Sequence, residues 1–175
     1  MQADMSKASL FDYAAITAQA DLWARKVLPS GLQFYANPGL GDPTCPAAKK
    51  YEAGVGALGC ADTSQAEFAW HGTGTLAGVQ SICWDNLNPA LRRGQSYGAG
   101  EYFSVAATNS FSFAKGTGYL IVCLLLTGPH KSTHATIRVV NNPQTGTAMY
   151  CLPVGVVDYI GSGDPQLNGS GRLLL

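Results

Sequence analysis

The hydrophobic pattern changes character midway along the chain. In the first half it has helical spacing. Leu10, Tyr13, Ala14, Thr17, Ala20 and Trp23 or Ala24 recur along one face of a helix from Ser9 to Val27. Ser9 is the expected N-cap, with Asp12 three residues on as a weaker capping-box partner, and Pro29-Ser30-Gly31 supplies the stop. Leu32 to Tyr35 reads as a short strand. Asn37 to Gln65, rich in Gly, Pro, Ala and Asp, reads mostly as loop, with one helical turn over Ala47 to Glu52. Glu67 to Trp70 reads as a strand that delivers His71. Gly74 to Asn86 reads as a helix with Leu76, Val79, Ile82 and Cys83 on one face. Turn-forming residues run from Asn88 to Gly100.

Beyond Gly100 the pattern belongs mainly to strands. Glu101 to Ser104 is a short strand or bend, and Asn109 to Lys115 a helix. Tyr119 to Leu126 is an unbroken apolar run closed by Gly128-Pro129, as expected of a strand buried on both faces. Thr136 to Asn141, Ala148 to Leu152 and Val156 to Ile160 make three more strands. Few helices and about six strands, with helices early and strands late, predict an α+β fold on antiparallel sheets. No repeat or second domain is visible. Residues 1–8 read as a flexible N-terminus, 9–165 as one domain and 166–175 as a Gly/Ser-rich tail.

Composition narrows the partners. The 175 residues are 46% hydrophobic and only 13% charged, with 11 basic against 11 acidic side chains. That content suits a packed domain and leaves no basic footprint for nucleic acid. The longest apolar run is too short to span a bilayer, and Met1 to Leu10 carries no signal-peptide core, so no membrane partner and an intracellular location are expected. Arg92-Arg93 is either a solvated loop or a local pyrophosphate contact. Of the five cysteines, Cys83, Cys123 and Cys151 lie in apolar segments. Cys45 and Cys60 flank a Gly/Ala-rich stretch where a bridge is conceivable and a reduced pair the default. No Cys-x-x-Cys occurs, and His130 and His134 lack cysteine neighbours, so no metal is expected.

Candidate chemistry concentrates between Phe68 and Phe113. Three pieces stand out: His71-Gly72-Thr73, then Gly98-Ala99-Gly100-Glu101-Tyr102-Phe103, then Ser110 and Phe113, eight and eleven residues after Tyr102. Together they resemble the NAD-binding half of a poly(ADP-ribose) polymerase-like ADP-ribosyltransferase. The likeness extends over roughly residues 15–160. Asp21-Leu22-Trp23 resembles the segment ahead of that family's core, and Asn141-Asn142-Pro143 with Ala148 to Leu152 resembles its late loop and strand.

The resemblance implies a split β-sandwich of two antiparallel sheets with flanking helices, and NAD as co-substrate. It implies that His71 holds a ribose hydroxyl, that Gly72 and Ser110 bind the carboxamide, that Thr73 fills the Ser/Thr place, and that Tyr102 and Phe113 sandwich the nicotinamide. Ala99 stands where the family often has lysine. The family's third catalytic position, a glutamate in polymerising members, falls on Met149; no glutamate follows Glu101. Methionine can neither orient a hydroxyl nor take its proton. The implied activity is therefore transfer of a single ADP-ribose to a protein acceptor. The alternatives are a non-catalytic binding module of the same fold and an NAD glycohydrolase. Asp158 is the nearest later acid, whereas Glu101, adjoining Tyr102, should face the other way and serve structure. Gly94-Gln95-Ser96-Tyr97-Gly98 matches a hydrolase nucleophile elbow in letters only, because its serine falls in a loop rather than between strand and helix.

Overall fold

The computed structural model describes residues 8–29, 31–145 and 147–167. The expected flexible N-terminus and tail lie outside these residues apart from Ala8, Gln166 and Leu167. The described chain is mixed α+β, with four α-helices and one seven-stranded, wholly antiparallel sheet. In chain order these are α1 (Tyr13–Val27), β1 (Gln33–Ala36), α2 (Pro46–Leu58), β2 (Ala66–His71), α3 (Leu76–Asp85), β3 (Glu101–Ser104), α4 (Ala107–Ala114), β4 (Tyr119–Leu126), β5 (Lys131–His134), β6 (Ile137–Val140) and β7 (Cys151–Asp158). Across the sheet the order is β1-β7-β4-β2-β3-β6-β5.

β4 is the centre of the core. All eight of its residues are buried. Because side chains alternate across a strand, Leu120, Val122, Leu124 and Leu126 face one apolar cluster, and Tyr119, Ile121, Cys123 and Leu125 the other. α1 covers the first cluster through Ile16, Ala20 and Ala24, one helical turn apart. α3 covers the second through Val79 and Cys83. Fully burying each large aliphatic side chain stabilises the fold by about 1.5–3 kcal/mol, so a strand buried on both faces anchors both layers at once.

Several expectations change. α1 starts at Tyr13, capped by Asp12, whose carboxylate accepts from the Ala15 N–H at 3.0 Å; Ser9 instead forms a β-bridge with Asp62. The segment read as mostly loop holds the 13-residue α2, with Pro46 in its first turn and Gly59 closing it at φ +66°. α2 separates Cys45 from Cys60 by roughly 20 Å at helical rise, so a bridge between them is excluded while the helix stands. The two strands expected at Ala148–Leu152 and Val156–Ile160 are one, β7. Pro153 is tolerated because it pairs with Cys123, where the β4 register slips at a bulge. β5, short and polar at the sheet edge, carries no hydrophobic alternation and escapes the pattern.

The sheet has one narrow seam. β2 pairs with β4 over six positions, but with β3 only at Trp70 opposite Ser104. One strand group, β1-β7-β4-β2, thus meets another, β3-β6-β5, at a single register pair. A buried ion pair braces the second group. Arg92 donates to both carboxylate oxygens of Glu101, which also accepts from Asn142 at 2.6 Å; both side chains are 6% exposed. Asn142 Oδ1 accepts in turn from the Tyr150 N–H just before β7. Removing one partner of such a pair strands a buried charge, so Arg92→Ala should cost about 3–5 kcal/mol in urea unfolding. A loss below about 1 kcal/mol would show Glu101 to be solvated.

Candidate functional site

The seam opens into a cleft of about 460 Å³. Each wall follows from local structure. β2 ends at His71. The next residues turn through Gly72 and Thr73 to Thr75, whose hydroxyl accepts from the Gly78 N–H at 3.0 Å and starts α3. Opposite, Gly98 and Gly100 take positive φ values of +103° and +155° that only glycine adopts readily. A Cβ on Gly100 would lie 2.7 Å from the Val140 carbonyl oxygen, so glycine lets this turn enter β3 flat against β6. α4 closes the end of the cleft.

Six residues singled out from the sequence line this one space: His71, Gly72, Thr73, Tyr102, Ser110 and Phe113. The seventh does not. Met149 is fully buried in the second apolar cluster with Cys151 and Val79, two residues before β7, and its N–H donates to the Lys50 carbonyl of α2. Asp158 is also remote from the cleft lining. Its buried carboxylate accepts from the N–H groups of Ile160, Gly161 and Gly163; burial raises its pKa, and these bonds more than offset that, leaving it below the usual value.

His71 has one defined tautomer. Its Nδ1 lies 2.9 Å from the Tyr102 carbonyl oxygen, which can only accept, so Nδ1 carries the proton. Nε2 is then the nitrogen left to accept from a cleft ligand. Burial pushes the His71 pKa below the ordinary histidine value, against the opposing pull of the Tyr102 carbonyl and the Glu101 charge, so the ring is neutral at pH 7. Its ring lies tilted at 52° against Phe103, centroids 5.4 Å apart.

The aromatic walls are fixed differently. The Tyr102 hydroxyl is clasped by its own loop: it accepts from the Tyr97 N–H and donates to the Gly98 carbonyl, both at 2.8 Å. Phe113 is 61% exposed and lies on the cleft side of α4, while Phe111 packs on Tyr159. Ser110 is mid-helix, not a cap; its buried hydroxyl donates to the Trp70 carbonyl at 3.3 Å. Gly72 has a packing reason of its own. A Cβ there would lie 2.3 Å from the Ser110 carbonyl oxygen, because α4 rests on this backbone.

Charge in the cleft is sparse. Among the lining residues Glu101 is the only carboxylate, and it is held by Arg92 and Asn142. Of the adjacent arginines, Arg92 is spent on that pair, while Arg93 is exposed at the cleft. Ser96 lies in the loop before β3, without the strand–turn–helix setting of a nucleophile elbow. Sequence reasoning missed Asn109, Ile137 and Leu91 as lining residues. Asn109 carried a readable signal, since it precedes Phe113 by four residues on a predicted helix. Among the described residues no three His, Cys, Asp or Glu side chains gather as a metal site requires, and no helix is long and apolar enough to cross a membrane. No protein-family model matches the chain, and no curated protein matches it.

Two outcomes follow from this geometry. Folding excludes the proton that an unfolded His71 takes up below about pH 6.5, so stability is full above that pH and falls below it. In urea titrations between about pH 7.5 and 5, His71→Gln should show a shallower decline than the parent; His130, shifted the same way by burial, retains the remainder. Parallel declines would mean that His71 titrates like a solvated ring. Met149→Glu should lose about 3 kcal/mol or more, because the new carboxylate has no partner in its apolar surroundings. A variant as stable as the parent would bring residue 149 out of the core and back to the cleft.

Proposed function

We propose that this chain is an NAD-dependent mono-ADP-ribosyltransferase, which releases nicotinamide and joins one ADP-ribose to a protein side chain. The observation that carries the reading is the convergence of three separated motif pieces, from β2, β3 and α4, on one cleft. In this reading His71 Nε2 accepts from a ribose hydroxyl, Gly72 and Ser110 bind the carboxamide, Thr73 flanks them, and Tyr102 and Phe113 hold the ring from its two faces. The glycosidic C–N bond breaks with its electron pair going to the pyridinium ring. The acceptor then bonds to the sugar's anomeric carbon, where positive charge has developed. The single Trp70–Ser104 pairing between the strand groups supports the finer reading of an ADP-ribosyltransferase-like split sandwich. An intracellular location, with no membrane or nucleic-acid partner, belongs to the same proposal.

Transfer of one unit rather than a polymer is supported by the burial of Met149 and by the engagement of Glu101, the only carboxylate among the described lining residues. No carboxylate among the described lining residues is free to take the proton of an incoming sugar hydroxyl. The same lack of a free carboxylate favours a second reading, a non-catalytic NAD-binding module. An NAD glycohydrolase, with water as acceptor, is the third. One experiment separates them: radiolabelled NAD incubated with the protein, alone and with cell extract, beside His71→Ala. Discrete labelled protein bands, lost by at least about 100-fold in the variant, are expected. Free ADP-ribose alone would make it a glycohydrolase. NAD bound without turnover would make it a binding module, and no binding would overturn all three.

A further inference from the structure

The cleft contains a polar side chain to which neither its motifs nor the proposed chemistry assigns a role. Asn109 lines the cleft on α4, one helical turn before Phe113 and on the same side. Its amide is anchored from behind. The Nδ2 group donates to Ser104 Oγ at 3.1 Å and to Thr136 Oγ1 at 2.7 Å. The orientation is set by the network rather than by choice of label. Ser104 spends its one hydroxyl proton on the Thr136 carbonyl and also accepts from the Ala106 N–H, so toward Asn109 it can only accept. Asn109 must therefore present its NH₂ to the sheet, which leaves Oδ1 as its free end.

We infer that Asn109 is a positioning residue whose Oδ1 accepts a hydrogen bond from a sugar hydroxyl of the bound dinucleotide, next to the ring held by Phe113. The inference rests on the NAD reading of the cleft. An amide oxygen suits this task and limits it. It orients a hydroxyl, but it cannot take the proton away, in keeping with a cleft in which Glu101, the only carboxylate among the described lining residues, is already paired. The anchoring matters because a free amide would rotate and lose the bond; both anchors belong to the β3-β6-β5 group and its turns, so that group sets the sugar's position.

Calorimetry with NAD and with nicotinamide alone tests this on the parent, Asn109→Ala and Thr136→Val. Thr136 is exposed and does not line the cleft, so its variant keeps the fold and the oxygen while loosening the amide. Asn109→Ala should weaken NAD about tenfold and Thr136→Val about threefold, with nicotinamide affinity unchanged in both. Affinity for NAD within twofold of the parent in Thr136→Val and in a folded Asn109→Ala would overturn the assignment. So would equal losses for NAD and nicotinamide, which would place Asn109 on the ring. A parent protein that binds no NAD would instead remove the reading on which the inference stands.

Discussion

The architecture depends on how little β2 and β3 share. Strands that pair along their whole length hold each other parallel to the sheet surface. Here the pairing stops at Trp70 opposite Ser104, and each strand then follows its other neighbour, β4 or β6. The seven strands remain one sheet, joined there by a single register pair, and the cleft beside that pair is walled by something other than strand. α4 does this, together with the loop that runs from α3 to β3. The residues with chemical potential are those nearest the fork: His71 just past the shared pair on one side, Tyr102 just before it on the other. Their contact, the His71 ring on the Tyr102 carbonyl, crosses the seam where no backbone ladder does.

The sequence was informative where one physical requirement dominated. β4 had to satisfy two apolar faces and so reads as an unbroken run; α1 had to bury one stripe and so shows helical spacing. It misled where requirements were layered. α2 contains Gly54 and Gly56, which look like loop, but a Cβ at Gly54 would come within 2.0 Å of the Met149 carbonyl, so the helix accepts a poor helix former in order to pack there. β7 hides behind Pro153 and Gly155, each excused by its setting: a bulge at Val154 of β7, opposite Val122 and Cys123, for the proline, and the close approach of Phe34 and Tyr35 of the paired β1 for the glycine. The cleft residues were legible because backbone turns fix their spacing. Met149 lies in the core rather than among the cleft-lining residues, a placement hidden from sequence order, which shows proximity to a strand but not which way a loop before it faces.

The distribution of charge has a similar logic. Among the described residues two carboxylates are buried, Glu101 and Asp158, and both lie where backbone must be fixed. Glu101 joins the cleft loop, β3 and the residues leading into β7 through Arg92 and Asn142, and Asp158 gathers the backbone that follows β7. In both places the carboxylate is occupied with hydrogen bonds to side chains or backbone. What the cleft retains is neutral or cationic: an imidazole without charge, an anchored amide, hydroxyls, and Arg93 at the edge.

Gly72 shows what such crowding means for the fate of a motif. Its side-chain space is filled by α4, so a larger residue there would push the helix, and with it Ser110 and Phe113, out of register with the cleft. The glycine is thus locked in by packing whether or not anything ever binds beside it. A descendant of this chain that abandoned its ligand would be free to lose His71 or Phe113, yet would have to keep residue 72 as it is. The letters of the motif would therefore decay unevenly, with the glycine outlasting the two side chains that give it a use.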